Sequence, residues 1–401
     1  MKVIPRISIT PVKNFAENLV LCLRKSEVLD GAYTEKFEKG FAEYIGVKHA
    51  IAVSSGRHGM ELILENLRQA KTEIIVPSYT LIELIPILND IGLKTKFVDI
   101  DENTFNINES LIEREITKNT GFILATHLFG LPCDMAKILR IAKKYNLHVV
   151  EDCTHALGSQ FNDKRVGSFG IAGFFSFEVM KPINTFGGGM ITTNDDYLAA
   201  KIRSVVKNYK FSRMNLASRI CRAYLEYAIL NSFLYNIVAK LLHSKIFQKI
   251  IVGLYHKSHG VKPQNFRFTN LQAKIGLDQL RKIDESNDIR IKKAKYLAKL
   301  LRNSANVSLP SEIRGREHVY YNFVIRVQDA NKLSEFLLKR KIDAPIGNDI
   351  MQSCVSNIDK YLATQKILST AVKLPLNNDS GRSEIRYVAA AVRKFFEKNQ
   401  S

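Results

Sequence analysis

The chain has 401 residues, enough for two domains or one very large one, and its 46% hydrophobic content is that of a folded globular protein rather than a disordered one. Its five cysteines, Cys22, Cys133, Cys153, Cys221 and Cys354, are scattered with no Cys-x-x-Cys pair, which argues against a disulfide framework or a structural zinc site. The formal net charge is +20, and between Lys201 and Lys262 twelve basic residues face a single acid, Glu226, so that stretch alone contributes +11.

The first residues, MKVIPRISITPVKN, lack the apolar run of a secretory signal, so a reducing, cytosolic setting is expected. From about residue 48 short β-branched runs alternate with helical patterns. HAIAVSS (49–55) reads as a strand and RHGMELILENLRQA as the helix after it. EIIVPS, TKFVDID, GFILATH and HVVEDCT are four more short apolar runs ending in polar residues, with LIELIPILNDIG and MAKILRIAKKYN as helices between them. Strands that alternate with helices pair in parallel through crossovers. The expected fold is therefore α/β, a mostly parallel open sheet with helices on both faces. Ligands of such sheets sit beyond the carboxyl ends of the strands. That rule singles out Ser55, Gly56, Arg57, Tyr79, His127, Asp152 and His155.

After Asn265 the pattern changes. NLQAKIGLDQLRKIDESNDIRIKKAKYLAKLLRN reads as one long helix, YNFVIRV as a strand, NKLSEFLLKRK as a helix, and SEIRYVAAAVRKFFEK as a closing helix. This predicts a smaller C-terminal α+β domain over 263–401. The larger domain then covers 1–262 and carries a basic, apolar helical insertion at about 205–260.

The most informative stretch is 150–194. Lys181 is preceded by Phe174, Phe175 and Phe177 and followed by Gly187, Gly188 and Gly189. Desolvation in such a setting disfavours the charged amine, and a neutral amine can attack an aldehyde. Asp152 stands at a strand end, where a carboxylate could keep a pyridine nitrogen protonated and make the ring an electron sink. On these residues alone, a structural lysine beside a solvated aspartate is an equal alternative.

An ordered series of motifs breaks that tie. VLDGAYTEKFEKGFAEYIGVKHAIAVSSG, EIIVPSYT, TKFVDIDENTFNIN, THLFGLPCDM, EDCTHALGSQFNDKRVGSFG, FFSFEVMK and QNFRFTNLQAKIGLDQL follow one another along the chain, and the likeness they carry, ending weakly near VKLPLN, extends over about three quarters of it. In that order they resemble the DegT/DnrJ/StrS sugar aminotransferases, which have the fold type I architecture of enzymes using pyridoxal 5'-phosphate. The resemblance implies that Lys181 is the Schiff-base lysine and proton shuttle and Asp152 the partner of the ring nitrogen. It places His155 where the family has a Gln or His near the cofactor's phenolic oxygen; a hydrogen-bonded core histidine is the plainer reading. It assigns Ser176, Gly56 and, in place of the usual threonine, Arg57 to the phosphate. A helix N-terminus after Gly56 favours an anion, and an arginine fork can replace the hydroxyl. Asn265 matches an asparagine that the family donates from a neighbouring subunit, which implies a homodimer with shared sites. Leu81 stands where the family often has an aromatic residue. Glu178, Pro182, Phe186 and Gly187 replace the usual His, Asn, Gly and Glu. Family dehydratases carry histidine instead of the lysine, so Lys181 points to transamination, with glutamate as the expected donor and a keto-sugar or related carbonyl compound as acceptor. No metal ligand set is expected. A non-catalytic cofactor-binding or regulatory relative is the alternative.

The insertion holds LASRICRAYLEYAILNSFLYNIVAKLLHSKIFQKIIVGLYHK. Leu216, Ile220, Tyr224, Tyr227, Leu230, Leu234, Ile237 and Leu241 recur at helical spacing, as do Ile246, Phe247, Ile250, Ile251 and Leu254. Two readings of 216–257 stay open: a helical hairpin packed on the protein or its dimer partner, and peripheral contact with an anionic membrane surface. The apolar run Tyr227–Ala239 is too short to span a bilayer, which needs about 20 residues. Nucleic-acid binding has only charge in its favour, with no recognition motif.

Overall fold

The computed structural model describes residues 2–7, 9, 12, 17–20, 28, 31–68, 70–243, 247, 265–304 and 306–398. After helix α1 (Tyr33–Ile45), the chain builds a seven-stranded sheet. Its strands are β1 (His49–Val53), β2 (Glu73–Pro77), β3 (Lys94–Val98), β4 (Thr120–Thr126), β5 (His148–Asp152), β6 (Ala172–Ser176) and β7 (Gly189–Thr193), in the order β1-β7-β6-β5-β4-β2-β3. All run parallel except β7, which is antiparallel to both its neighbours. The expected mostly parallel α/β sheet is thus present. Its reversed strand was not anticipated, because GMITT has the same apolar pattern in either direction.

Alternation along the strands explains the layers. Ile74, Val76, Phe122 and Leu124 face one side, where they meet Met60 and Ile63 of α2 (Gly56–Leu67). Ile75, Ile123 and Ala125 face the other and meet Met135, Ile138 and Ala142 of α3 (Met135–Tyr145). Burying such side chains stabilises the fold by about 1.5–3 kcal/mol each, so the helices are held to both faces by the strand period itself. Helix α4 (Asp196–Val206) joins the α2 side through Leu198 and Ile202.

The basic insertion continues as α5 (Arg213–Asn231) and α6 (Tyr235–Leu242). The apolar stripe read as one surface divides at the turn between them. Leu216 and Ile220 are buried against Val179 and Phe186, with Tyr224, Tyr227 and Leu230 half-buried beside them, whereas Leu234 and Ile237 are about 60% exposed. Ile246, Ile250, Ile251 and Leu254 lie outside the described residues.

The long helical pattern after Asn265 is two helices, α7 (Asn270–Leu280) and α8 (Ile283–Leu301). The break at Arg281–Lys282 interrupts no apolar stripe, since Leu277, Leu280, Ile283 and Asn287 are all buried, so periodicity could not reveal it. Lys282 closes it by donating its N–H to Gln279, a tightened last turn. A three-stranded antiparallel sheet follows, β8 (Val307–Ser308), β9 (Phe323–Val327) and β10 (Ala371–Leu374), in the order β8-β9-β10. Helices α8, α9 (Ala330–Lys339) and α10 (Arg382–Lys398) close a second core around Leu297, Leu333, Leu337, Val388 and Val392. The N-terminal Ile4 pairs with Ile342 and belongs to this core.

Candidate active site

The carboxyl edge of the large sheet is gathered at one point. Ser55, just beyond β1, bridges to Gly188, and Gly189 opens β7 opposite Ser176 at the end of β6. The loop between β6 and β7 carries Lys181 back over that edge. It closes with positive φ at Phe186 (61°), Gly187 (103°) and Gly188 (111°), a left-handed turn that glycine accepts without strain. Gly56 opens α2 at close range: a Cβ there would lie 3.1 Å from both the Phe175 carbonyl oxygen and the Ser176 Cβ. The Ser55 side chain caps α2 by accepting the His58 N–H at 3.1 Å.

These elements line a cleft of about 560 Å³ between the large sheet and the C-terminal body. Lys181, Asp152, His155, Ser176, Gly56 and Arg57 all face it. Asn265 does not; it is exposed outside the cleft of its own chain. Tyr79 and His127, singled out by their positions after strands, are structural. The Tyr79 hydroxyl donates to the Gly347 carbonyl at 2.8 Å. The buried His127 ring accepts the Cys133 N–H at Nδ1 (3.0 Å), so Nε2 donates to Glu151 at 3.1 Å. Glu151 also accepts backbone N–H groups of Gly167, Phe169 and Gly170, which fastens β5 to the turn before β6. His127, Glu151 and Cys153 are close enough to suggest a metal. His127 and Glu151 are already engaged in these hydrogen bonds, and burial raises the Cys153 thiol well above its ordinary value, so the cluster is a structural network.

The electrostatics fit the chemistry expected of Lys181 and Asp152. Burial lowers the Lys181 amine to about 8, against the opposing pull of Asp152 and Glu178, so roughly a tenth of it is neutral at pH 7. Its Nζ lies 5.1 Å from the centroid of the Tyr321 ring, whose hydroxyl donates to the Met180 carbonyl at 3.2 Å. Burial raises the Asp152 carboxyl, offset in part by Thr154, whose N–H it accepts at 3.0 Å. Among the described residues no lysine or arginine forms an ion pair with this carboxylate. A buried anion aimed at a cleft without a counter-ion suits a ligand that brings a positive nitrogen. The His155 ring stacks on Tyr321 at 4.3 Å, and its shielded Nδ1 has no hydrogen-bond partner among the described residues. Burial, then the charges of Lys181 and Lys373, hold His155 well below the usual imidazole range, so it is neutral and has hydrogen-bonding capacity for a ligand.

Further cleft residues escaped the sequence reading. Arg6, Arg290 and Tyr321 come from the N-terminal segment and the C-terminal body, outside the motifs, and Lys373 from VKLPLN, where the resemblance is weakest. Arg219 of α5 reaches the same loop and donates to the Ser54 carbonyl at 3.4 Å, with Glu178 and Arg57 in its field. Leu81 lines the cleft in an exposed position, without the stacking surface of an aromatic ring.

A sequence-family model described as the DegT/DnrJ/EryC1/StrS aminotransferase family matches residues 11–393. The chain is 32% identical over 372 residues to a dTDP-3-amino-3,6-dideoxy-alpha-D-galactopyranose transaminase of Aneurinibacillus thermoaerophilus, covering 91% of this chain and 90% of that one. It is also 32% identical over 350 residues to a GDP-perosamine synthase of Caulobacter vibrioides, covering 86% and 83%. Among solved structures, S. venezuelae DesV in complex with a ketimine intermediate superposes with a TM-score of 0.75 at 25% identity, over 96% and 94% of the two chains.

Proposed function

The chain belongs to the DegT/DnrJ/EryC1/StrS aminotransferase family, and from that premise we propose that its cleft moves an amino group from glutamate to a keto-sugar or related carbonyl acceptor carried on a nucleotide or a lipid. The enzyme is an aminotransferase dependent on pyridoxal 5'-phosphate. The observation that carries the reading is the pair in one cleft: a desolvated, partly neutral Lys181 and a buried Asp152 that, among the described residues, makes no ion pair.

When bound, pyridoxal 5'-phosphate supplies a carbonyl carbon and a ring that accepts the electron pair left at the donor's α-carbon. The roles that the resemblance implies for the chain's own residues are compatible with their surroundings. Asp152 holds the proton on the ring nitrogen. Lys181, anchored through its N–H to the Glu178 carbonyl at 2.8 Å, carries the proton between the donor's α-carbon and the cofactor's C4′. Ser176, Arg57 and the N-terminus of α2 at Gly56 would hold the phosphate. His155, kept neutral, contacts the ring's phenolic oxygen. Asn265 lies outside its own cleft, which supports its donation to the cleft of a second copy in a homodimer. Glutamate should bleach the visible band of the cofactor-loaded protein, and Lys181→Ala should abolish the band. A coloured protein that no amino donor bleaches would refute the reading. Keto-sugar acceptors, nucleotide- and lipid-linked in parallel, then restore the band if they are substrates.

The α5–α6 turn favours a second, compatible reading of location. Among the described residues no helix is long and apolar enough to cross a membrane. At the turn, however, Phe233 is 71% exposed and Leu234 and Ile237 lie beside it, in the stretch that carries +11 of net charge. Apolar tips within a basic field match peripheral attachment to an anionic bilayer. Flotation with phosphatidylserine vesicles should be lost on replacing Phe233, Leu234 and Ile237 by serine. Equal flotation of both proteins, or none of either, removes the proposal.

A further inference from the structure

We propose that Lys373 is the centre of an oxyanion subsite on the C-terminal wall of the cleft, taking a carboxylate or phosphate group of the molecule that reacts at Lys181. The identity of that molecule rests on the aminotransferase reading; the presence of an anion site does not.

Three observations carry the inference. The first is position. Lys373 stands on β10, opposite Val324 of β9, and its side chain lines the same cleft as Lys181, Asp152 and His155. The small sheet therefore holds a cation against the reacting residues of the large one. The second is the lack of a partner. Among the described residues the Lys373 ammonium forms no hydrogen bond and no ion pair. The carboxylate that acts on it, Asp343, is saturated. Its Oδ2 accepts Arg6 Nε at 2.8 Å and the Tyr235 hydroxyl at 2.5 Å, and its Oδ1 accepts Arg6 Nη2 at 2.8 Å and His243 Nε2 at 2.7 Å. Four donors occupy its lone pairs, and none is left for Lys373. The third is the field. Burial first, then the Arg6 charge and after it that of Lys181, lower the Lys373 amine to about 7 against the pull of Asp343, so it is charged only in part until an anion joins it.

A half-buried ammonium without a counter-ion is expensive to hold in a protein, and its neighbours make it more so. The arrangement is relieved when a ligand brings negative charge to that wall. An amino donor carries its α-carboxylate two bonds from the nitrogen that must approach Lys181. An acceptor could instead bring an acidic sugar or a phosphate to the same place.

The test uses the full, cofactor-loaded chain. Calorimetric titration with glutarate, which has no amine and cannot react, and with inorganic phosphate reads the subsite without turnover. Lys373→Met should weaken at least one of these probes tenfold or more, while Lys373→Arg should keep most of the binding and an unchanged cofactor band. Bleaching of the band by glutamate, 4-aminobutanoate and 2-aminobutanoate then locates the anion. A Lys373→Met defect that disappears with 4-aminobutanoate assigns the subsite to the donor's α-carboxylate, and one that disappears with 2-aminobutanoate assigns it to the side-chain carboxylate. A defect in probe binding with no defect in any donor reaction assigns it to the acceptor. Glutarate and phosphate that bind Lys373→Met as tightly as the wild type overturn the proposal. If no donor bleaches the band, the aminotransferase reading fails by itself, and the calorimetric result still stands or falls separately.

Discussion

Replacing Asp343 by asparagine should cost the protein about 3–5 kcal/mol, because it leaves the Arg6 guanidinium as an uncompensated buried cation. Asp343 is wholly inaccessible and Arg6 nearly so, and the two share a bidentate pair of 2.8 Å bonds. The amide is no substitute. Turned one way, its NH2 group meets Arg6 Nη2 and His243; turned the other, it meets Arg6 Nε and the Tyr235 hydroxyl. Either orientation sets donor against donor. Tyr235→Phe, by contrast, removes a single hydrogen bond to a charged group and should cost about 1.5–3 kcal/mol. Denaturant unfolding followed by circular dichroism reads both, the chain having no tryptophan to report by fluorescence. Because Tyr235 opens α6 and His243 caps it, Asp343→Asn should also expose α6 to limited proteolysis. The pH dependence has a definite sign. Burial alone would raise the Asp343 carboxyl, but the His243 hydrogen bond, the Arg6 charge and the Tyr235 hydroxyl hold it well below the usual carboxylate range. Its contribution is therefore complete above the unfolded value of about 3.9 and lost only as pH falls below that, towards the folded value. The gap between wild type and Asp343→Asn should stay constant from pH 5 to 8 and close only in stronger acid. A variant within about 1 kcal/mol of wild type, with α6 equally resistant to protease, would refute the four-donor account.

Two further substitutions probe the cofactor cradle. Asp152→Asn should keep the visible band yet slow its bleaching by glutamate by about a hundredfold or more, since a neutral amide cannot hold the ring nitrogen positive; an unchanged rate would remove Asp152 from that role. Gly56→Ala would place a methyl 3.1 Å from the Phe175 carbonyl oxygen and the Ser176 Cβ, so the loop must widen at the proposed phosphate cradle. The variant should fold but release its cofactor on dialysis against buffer, and full retention would show that the cradle lies elsewhere.

Much of the large domain's sheet was legible in the sequence because a parallel strand buried on both faces writes a continuous apolar run, as Ile74–Ile75–Val76 and Phe122–Leu124 do. The residues that end those runs, Asp152 and Ser55–Gly56, fell at the carboxyl edge for the same reason. What stayed hidden has no local signature. The reversal of β7 leaves its pattern unchanged, and the turn at Arg281–Lys282 lies under an unbroken stripe. Tyr321 stacks on His155 across 166 positions of chain, and Lys373 shares the field of Arg6 from the other end of the molecule. A cation in VKLPLN reads as an ordinary surface lysine until the small sheet folds it against Lys181.

The departures around Lys181 and the basic insertion looked like two unrelated oddities, and the packing makes them one. Phe186, standing where a glycine is usual, is buried between Leu216, Ile220 and Ala223 of α5, with the Tyr224 ring 5.9 Å from its own. Gly187, standing where a glutamate is usual, leaves the space that Arg219 fills: a Cβ there would lie 2.2 Å from Arg219 Nη1. A glutamate side chain at 187 would collide with the guanidinium that now reaches the Ser54 carbonyl. The two replacements are therefore the receiving surface of α5, one supplying apolar contact and the other clearance. Helix α6 and the residue after it, through Tyr235 and His243, are tied to Asp343 beneath the wall that holds Lys373. The α5–α6 segment thus touches both the loop that presents Lys181 and the body that closes over it, so a change in its packing acts on the cleft from two sides.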